Sequence, residues 1–181
     1  MSGLGSAPVP PIGDEDHVCG GPGGTSTAGG GEGVAGRAVV VIEYADFECP
    51  FCAALSIRLD PRPLRRAFRH FPVRSSHPRA WAAACAAEAA ALQGRFWEMH
   101  DALFADQGRL EDPHLWERAR ALGLELELFD ADRRSEAVLA RVRRDFRSGV
   151  RAGVVSTPTV FIAGEQYVGR GVITGALNAL S

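Results

Sequence analysis

The sequence predicts an α/β fold, a small buried sheet with a block of helices inserted in its middle. Three observations carry that reading. The run "AVVVIEYA", residues 38–45, is β-branched and almost continuously apolar, which suits a central strand buried on both faces. Between residues 77 and 152 the apolar residues recur at helical spacing in one segment after another. The chain then returns to strand character in "TPTVFIAGEQYVG", two short runs meeting at Ala163-Gly164. A chain of 181 residues has room for one domain with a sizeable core, and not comfortably for two.

Residues 1–36 are expected to be a flexible tail. Nine of the seventeen residues from Gly20 to Gly36 are glycine, and such a stretch buries too little to offset its ordering entropy. The folded domain is expected to span 37–181. After the first strand, "CPFCAALSIRL" reads as a helix with Pro50 in its first turn, where proline is tolerated. Pro61 and Pro63 should keep that helix short, and only 17 residues lie between Cys52 and His70. "LRRAFRHFPV" reads as a second strand, with Leu64, Phe68 and Val73 set among arginines.

The helical block opens with the Ala-rich "HPRAWAAACAAEAAALQG", stopped at Gly94. "RFWEMHDALFADQ" places Phe96, Met99, Leu103 and Phe104 on one face. "DPHLWERARALG" offers Asp112 as N-cap, Pro113 just inside and Gly123 past the end. "SEAVLARVRRDFRSGVRAG" carries Val138, Val142, Phe146 and Val150 four residues apart, and its "RVRRDFR" reads as a solvated face. The hairpin follows, and a short helix ending in "ALNAL" closes the chain. Trp81, Trp97 and Trp116 fall at helical positions and read as core or groove lining.

Composition narrows the function. Hydrophobic residues make up 46% and charged residues 23%, and the net charge is −2, which argues against nucleic acid or an anionic membrane as the partner. All 20 basic residues are arginine, a bias that no single site would demand. No run of 18 apolar residues spans a bilayer. The first residues show neither a basic n-region nor an apolar h-region, so a cytoplasmic location is expected unless the true start lies upstream. Four cysteines there should rest mostly as thiols, and a CxxC points to redox chemistry or metal before a structural bridge.

That CxxC is Cys49-Pro50-Phe51-Cys52. Cys49 at a helix N-terminus meets unpaired backbone N–H groups and the positive end of the macrodipole, both favouring a thiolate. Cys52, one turn on, would be less exposed and placed to attack a mixed disulfide on Cys49. Zinc is the other reading of the pair, but a structural site wants four ligands. Cys19 falls in the expected tail, Cys85 stands alone in an Ala-rich helix, and His17, His70, His77, His100 and His114 show no paired ligand spacing. His100 reads as a packed or surface helix residue, and no metal or cofactor is expected. Cys85 reads as a small buried residue and Cys19 as at most an exposed thiol. Glu43 lies in a strand that otherwise reads as buried, where a carboxylate is costly without a partner or a raised pKa. Glu48, beside Cys49, is expected to be exposed and to oppose thiolate formation slightly.

Four ordered motifs, "VVVIEYADFECPFC", "FRHFP", "QGRFWEMHDALF" and "SGVRAGVVSTPTVFIAG", resemble the DsbA-like branch of the thioredoxin superfamily. The "DEDHV" of the expected tail is similar to the preamble of cytoplasmic members. The resemblance runs from about Arg37 to Leu180. It implies a thioredoxin-like fold with an inserted helical subdomain, and a thiol-disulfide oxidoreductase acting on protein or peptide thiols and disulfides. In that reading Cys49 is the nucleophile, Cys52 resolves, and the two alternate between dithiol and disulfide. Glu43 would lie beneath Cys52 and help move its proton. Thr157-Pro158 would form a cis-proline loop facing the pair, and with Pro50 and Phe51 would border an extended substrate segment. A small thiol or a thioredoxin-type system would recycle the enzyme. The reading from another class is a non-catalytic redox-sensing or peptide-binding module that uses the same groove; a reductase of a small thiol substrate is a third.

Overall fold

The computed structural model describes residues 7–20, 39–59, 64–169 and residue 175. Its sheet contains five strands, β1 (His17–Cys19), β2 (Val39–Ala45), β3 (Leu64–His70), β4 (Thr159–Ile162) and β5 (Glu165–Val168), in the spatial order β1-β3-β2-β4-β5. β2 and β3 run parallel, joined through helix α1 (Pro50–Leu59), whereas β1, β4 and β5 pair antiparallel with their neighbours. Five helices separate β3 from β4: α2 (Ala80–Leu92), α3 (Phe96–Ala105), α4 (Asp112–Ala121), α5 (Leu126–Asp132) and α6 (Glu136–Arg151). The expected α/β sheet with a helical insertion is therefore the observed architecture. The expected C-terminal helix lies outside the described residues.

The two sheet faces are covered by different parts of the chain. Phe96, Met99, Leu103 and Phe104 of α3, with Leu110, Leu115 and Phe129, pack over Phe47 and Phe68 to form the larger core. Cys52, Leu55 and Leu59 of α1 are buried at helical spacing, and the two leucines meet Val41, Leu64, Val160 and Ile162. Tyr44, Phe71 and Phe161 form a third cluster, covered in part by Val9, Ile12 and Val18. Helix α6 comes so near the sheet that a Cβ on Gly149 would stand 2.7 Å from Phe71 Cδ2 and 2.9 Å from Tyr44 Cδ1. Gly94 and Gly123, expected as helix stops, both adopt positive φ, and Ala163 and Gly164 do so in the β4–β5 turn.

Several local expectations are corrected. The tail was expected to run through residue 36, but residues 7–20 are built into the fold. Ala7 N–H bonds to the Arg151 carbonyl, and β1 pairs with β3 in the register His17↔Phe68. Three residues with an imidazole and a thiol among them show no strand period. Their order comes from that pairing and from Arg69, whose guanidinium binds Asp16 and the carbonyls of Pro10 and Pro11. Cys19 is accordingly a half-buried strand residue, not a thiol in a loose tail. Residues 21–36 of the expected tail lie outside the described residues.

Asp112 is the first residue of α4, with Glu111 at the N-cap, and its carboxylate instead receives Arg133 at 2.7 and 2.9 Å. The face "RVRRDFR" is only partly solvated, because Asp145 is buried, paired with Arg141 and bonded to the His70 N–H. Helix α5 was not anticipated. It has seven residues and buries only Phe129, too little for a period to show.

Candidate active site

The site is built where β2 ends. Asp46, buried just after Ala45, accepts the Glu48 N–H at 2.8 Å while its carbonyl accepts the Cys49 N–H at 3.1 Å, a local turn that redirects the chain into α1. The other Asp46 carboxylate oxygen accepts from Val73 N–H at 2.8 Å and pairs with His77 Nδ1 at 2.9 Å. Gln107, after α3, donates its amide to the carbonyls of Phe47 at 2.7 Å and Cys49 at 2.9 Å. The inserted helices thus hold the cysteine loop directly. Glu48 is not the exposed charge expected: Arg79 binds both of its carboxylate oxygens and continues to Glu111.

Cys49 immediately precedes α1, and its carbonyl accepts from the N–H groups of Cys52 and Ala53. Both cysteines are thiols, Cys49 with 3% of its surface exposed and Cys52 with none. A hydrogen bond from Cys52 is the largest influence on Cys49 and lowers its pKa. Burial opposes it, while Thr157 and the backbone N–H groups of Cys52 and Phe51 add to it, and the result is about 6. Cys52 moves the other way. Burial first, then the thiol and charge of Cys49 and the charge of Glu43, push it well above the usual thiol range. The two sulfurs are therefore separated in acidity as far as their environments allow.

The second wall is the segment before β4. The Thr157–Pro158 peptide is cis, and the Cys49 thiol donates to the Thr157 carbonyl oxygen at 3.4 Å. Cys49, Cys52 and Thr157-Pro158 thus meet although 108 residues separate Cys49 from Thr157. Pro50 is exposed, Phe51 is 38% exposed and Val155 is 82% exposed, apolar surface next in sequence to Cys49 and close in sequence to Thr157. Val155 was not singled out by the sequence.

Glu43 sits in the middle of β2, fully buried, and Arg66 of β3 donates Nε–H to it at 2.7 Å. Arg66 also reaches Ser56 of α1 and donates to His100 Nε2 at 3.2 Å. His100, pushed down to about 4 mainly by burial, is a packed residue, and its Nδ1 pairs with the Asp101 carboxylate. Arg66 had no sequence signal beyond being one arginine among several in β3. Cys85 is buried in α2 and its thiol is raised to about 12, first by burial and then by Glu88, so it is inert at neutral pH.

The family model described as Thioredoxin matches residues 34–173. Over 150 residues the chain is 41% identical to the Na(+)/H(+) antiporter NhaA 1 of Mycolicibacterium gilvum, covering 78% of this chain and 24% of that protein. The chain spans about a quarter of the length of the curated relatives it matches. No described helix is long and apolar enough to cross a membrane, and the matched stretch folds here as an α/β domain. A thioredoxin-like oxidoreductase from Silicibacter pomeroyi superposes with a TM-score of 0.70 at 24% identity, over 92% of both chains. Oxidised BdbD from Bacillus subtilis superposes with a TM-score of 0.73 at 16% identity, over 97% of this chain and 96% of that one. At these identities the likeness is one of fold.

Proposed function

Because this chain belongs to the thioredoxin family, we propose that it is a dithiol–disulfide oxidoreductase acting on protein or peptide substrates through Cys49 and Cys52. One observation carries the proposal: two buried thiols, Cys49 just before α1 and Cys52 in its first turn, with the Thr157 carbonyl 3.4 Å from the Cys49 sulfur. That environment lowers the Cys49 pKa and raises that of Cys52. A nucleophile must be a thiolate near pH 7, and a resolving thiol must stay protonated until the mixed disulfide exists.

In the reductive direction the Cys49 thiolate attacks a substrate disulfide, forming an S–S bond to one substrate sulfur and releasing the other as thiolate. Cys52 then gives up its proton and attacks Cys49, forming the internal disulfide and releasing the second substrate thiolate. Oxidation of a substrate dithiol is the same sequence reversed. Glu43 is proposed to influence Cys52 from beneath, and the Thr157 backbone together with Phe51 and Val155 to receive an extended segment. In the reductive direction a small thiol or a thioredoxin-type dithiol, itself becoming the disulfide, would reduce the Cys49–Cys52 bond again; in the oxidative direction the disulfide form of such a partner would take up the two electrons. The exposed apolar surface also favours the second reading, a peptide-binding module without turnover.

The test is trapping joined to turnover. Cys52→Ser should accumulate mixed disulfides through Cys49, Cys49→Ser should accumulate few, and only the unaltered protein should reduce insulin catalytically. Equal trapping by the two variants would overturn the division of roles. Substrate binding without turnover would favour the binding module.

A further inference from the structure

Among the described residues, one cluster of metal-ligating side chains lies outside the cysteine site. It consists of His17 of β1, His70 at the end of β3 and Glu88 of α2. The sequence separates His17 from Glu88 by 71 positions and His70 from Glu88 by 18, so no ligand spacing announces them. The unexpected pairing of β1 with β3 brings the imidazoles together, and α2 supplies the carboxylate. His17 Nε2 and His70 Nε2 meet the same Glu88 oxygen, Oε1, at 2.8 and 2.7 Å, and the three ligand atoms all lie within 4.8 Å of one another.

The surroundings hold these groups in place. The His17 ring stacks on Phe96 with centroids 3.5 Å apart and planes 10° from parallel. His70 is buried against Phe47, Phe68 and Phe96. Glu88 itself is buried, and both imidazoles converge on the one carboxylate oxygen. The neighbouring cation is Arg141, with Nε 3.7 Å from Glu88 Oε1; its terminal nitrogens are engaged by Asp145 and the Glu15 carbonyl.

We propose that His17, His70 and Glu88 form a binding site for one divalent transition cation of the zinc class, with both Nε2 atoms and the Glu88 carboxylate as protein ligands. Two imidazoles and a carboxylate are the donor set of three-ligand zinc sites, in which solvent takes the fourth position. The His17 side chain, 17% exposed, leaves that position an outlet. The cation takes the place of the present Nε2–Oε1 contacts. With metal–ligand bonds of about 2.0 to 2.1 Å, tetrahedral donors stand roughly 3.3 Å apart, so each imidazole nitrogen must draw back from Glu88 Oε1 by about half an ångström. With Nε2 on the cation the ring proton stands on Nδ1, which in His70 is buried without a hydrogen-bond partner, a cost that the metal bonds must offset. The bound cation would clamp β1 to β3 and α2, making the docking of the N-terminal segment metal-dependent.

The test uses the full chain carrying Cys49→Ser and Cys52→Ser, so that the active-site dithiol cannot compete for metal. Calorimetric titration with zinc chloride should show one saturable site, reversed by EDTA, and bound zinc should raise the thermal midpoint. Cobalt(II) in its place should give visible d–d bands without a sulfur-to-cobalt charge-transfer band. His17→Gln keeps an N–H donor toward Glu88 but loses the imidazole. It should weaken zinc at least about tenfold, since loss of an outer partner alone costs that much at such sites. His17→Cys should restore binding and add the charge-transfer band. Absence of saturable binding overturns the proposal. So does equal affinity in His17→Gln, or a charge-transfer band in the parent, which would assign the metal to Cys19 or Cys85.

Discussion

The acidity of Cys49 offers the sharpest test of the proposed chemistry. Its pKa of about 6 owes most to a hydrogen bond from Cys52, so Cys52→Ala should raise it while Thr157 and the helix N–H groups remain. A hydrogen bond to a charged group is worth about 1.5 to 3 kcal/mol, and one pKa unit is about 1.4 kcal/mol, which sets the expected rise at roughly one to two units. At pH 7 the thiolate fraction should then fall from roughly nine-tenths to between about half and a tenth. Cys52→Ser retains an O–H donor and should fall between the two. Thiolate absorbance against pH, backed by the pH dependence of alkylation rate, measures all three proteins. An unchanged or lower pKa in Cys52→Ala would refute the reasoning and assign the shift to the helix terminus and Thr157 alone.

Three further outcomes follow from the same geometry. A folded-state pKa of about 6 against an ordinary 9.0 means that the unfolded chain binds the extra proton between those values, so the stability from Cys49 is complete above about 9 and lost as pH falls through 6. Relative to Cys49→Ser, the reduced protein should gain about 2 kcal/mol from pH 6 to pH 8 in urea titrations, and a flat difference would contradict the lowered pKa. Gln107→Leu strips the donor from the Phe47 and Cys49 carbonyls and should cost about 1 to 2 kcal/mol while raising the Cys49 pKa; lost stability with an unmoved titration would leave Gln107 a structural brace only. Gly149→Ala drives a methyl group into Phe71 and Tyr44 and should cost about 1 to 3 kcal/mol in denaturant, and an unchanged midpoint would mean that α6 shifts away freely.

How much of this was legible depends on whether a residue's partner is near it in sequence. The β2 run, the proline at the start of α1 and the glycine ends of α2 and α4 follow local rules, and each stands where the pattern put it. The Cys49–Cys52 pair was legible as a CxxC and Thr157-Pro158 through motif resemblance, and the fold brings the Cys49 sulfur to 3.4 Å from the Thr157 carbonyl oxygen. What stayed hidden needed tertiary partners. Arg66 and Arg69 were only two of the arginines among the strand's apolar residues, yet both are buried, because Glu43, Asp16 and two prolyl carbonyls lie around them. His17 looked like part of a tail because three residues cannot display a period, and its place follows from β3 and Glu88. Gln107 carries no pattern at all, since its role is the position of two carbonyls 60 and 58 residues away.

The charge beneath Cys52 bears on the order of the proposed steps. Arginine does not give up its proton in proteins, and Arg66 donates to Glu43 at 2.7 Å. His100, on the far side of Arg66 and lowered to about 4, is neutral at pH 7 and accepts from the guanidinium rather than competing with it. The charge of Glu43 is one of the lesser causes that raise the Cys52 thiol, after burial and Cys49. A protonated Cys52 is also the donor that contributes most to the Cys49 thiolate. The two shifts are thus linked: whatever stabilises Cys52 as a thiol also stabilises Cys49 as a thiolate. Once Cys49 enters a mixed disulfide its negative charge disappears, and with it part of what raised Cys52. The resolving sulfur becomes easier to ionise only after its target bond exists, which orders the two steps of the proposed reductive cycle.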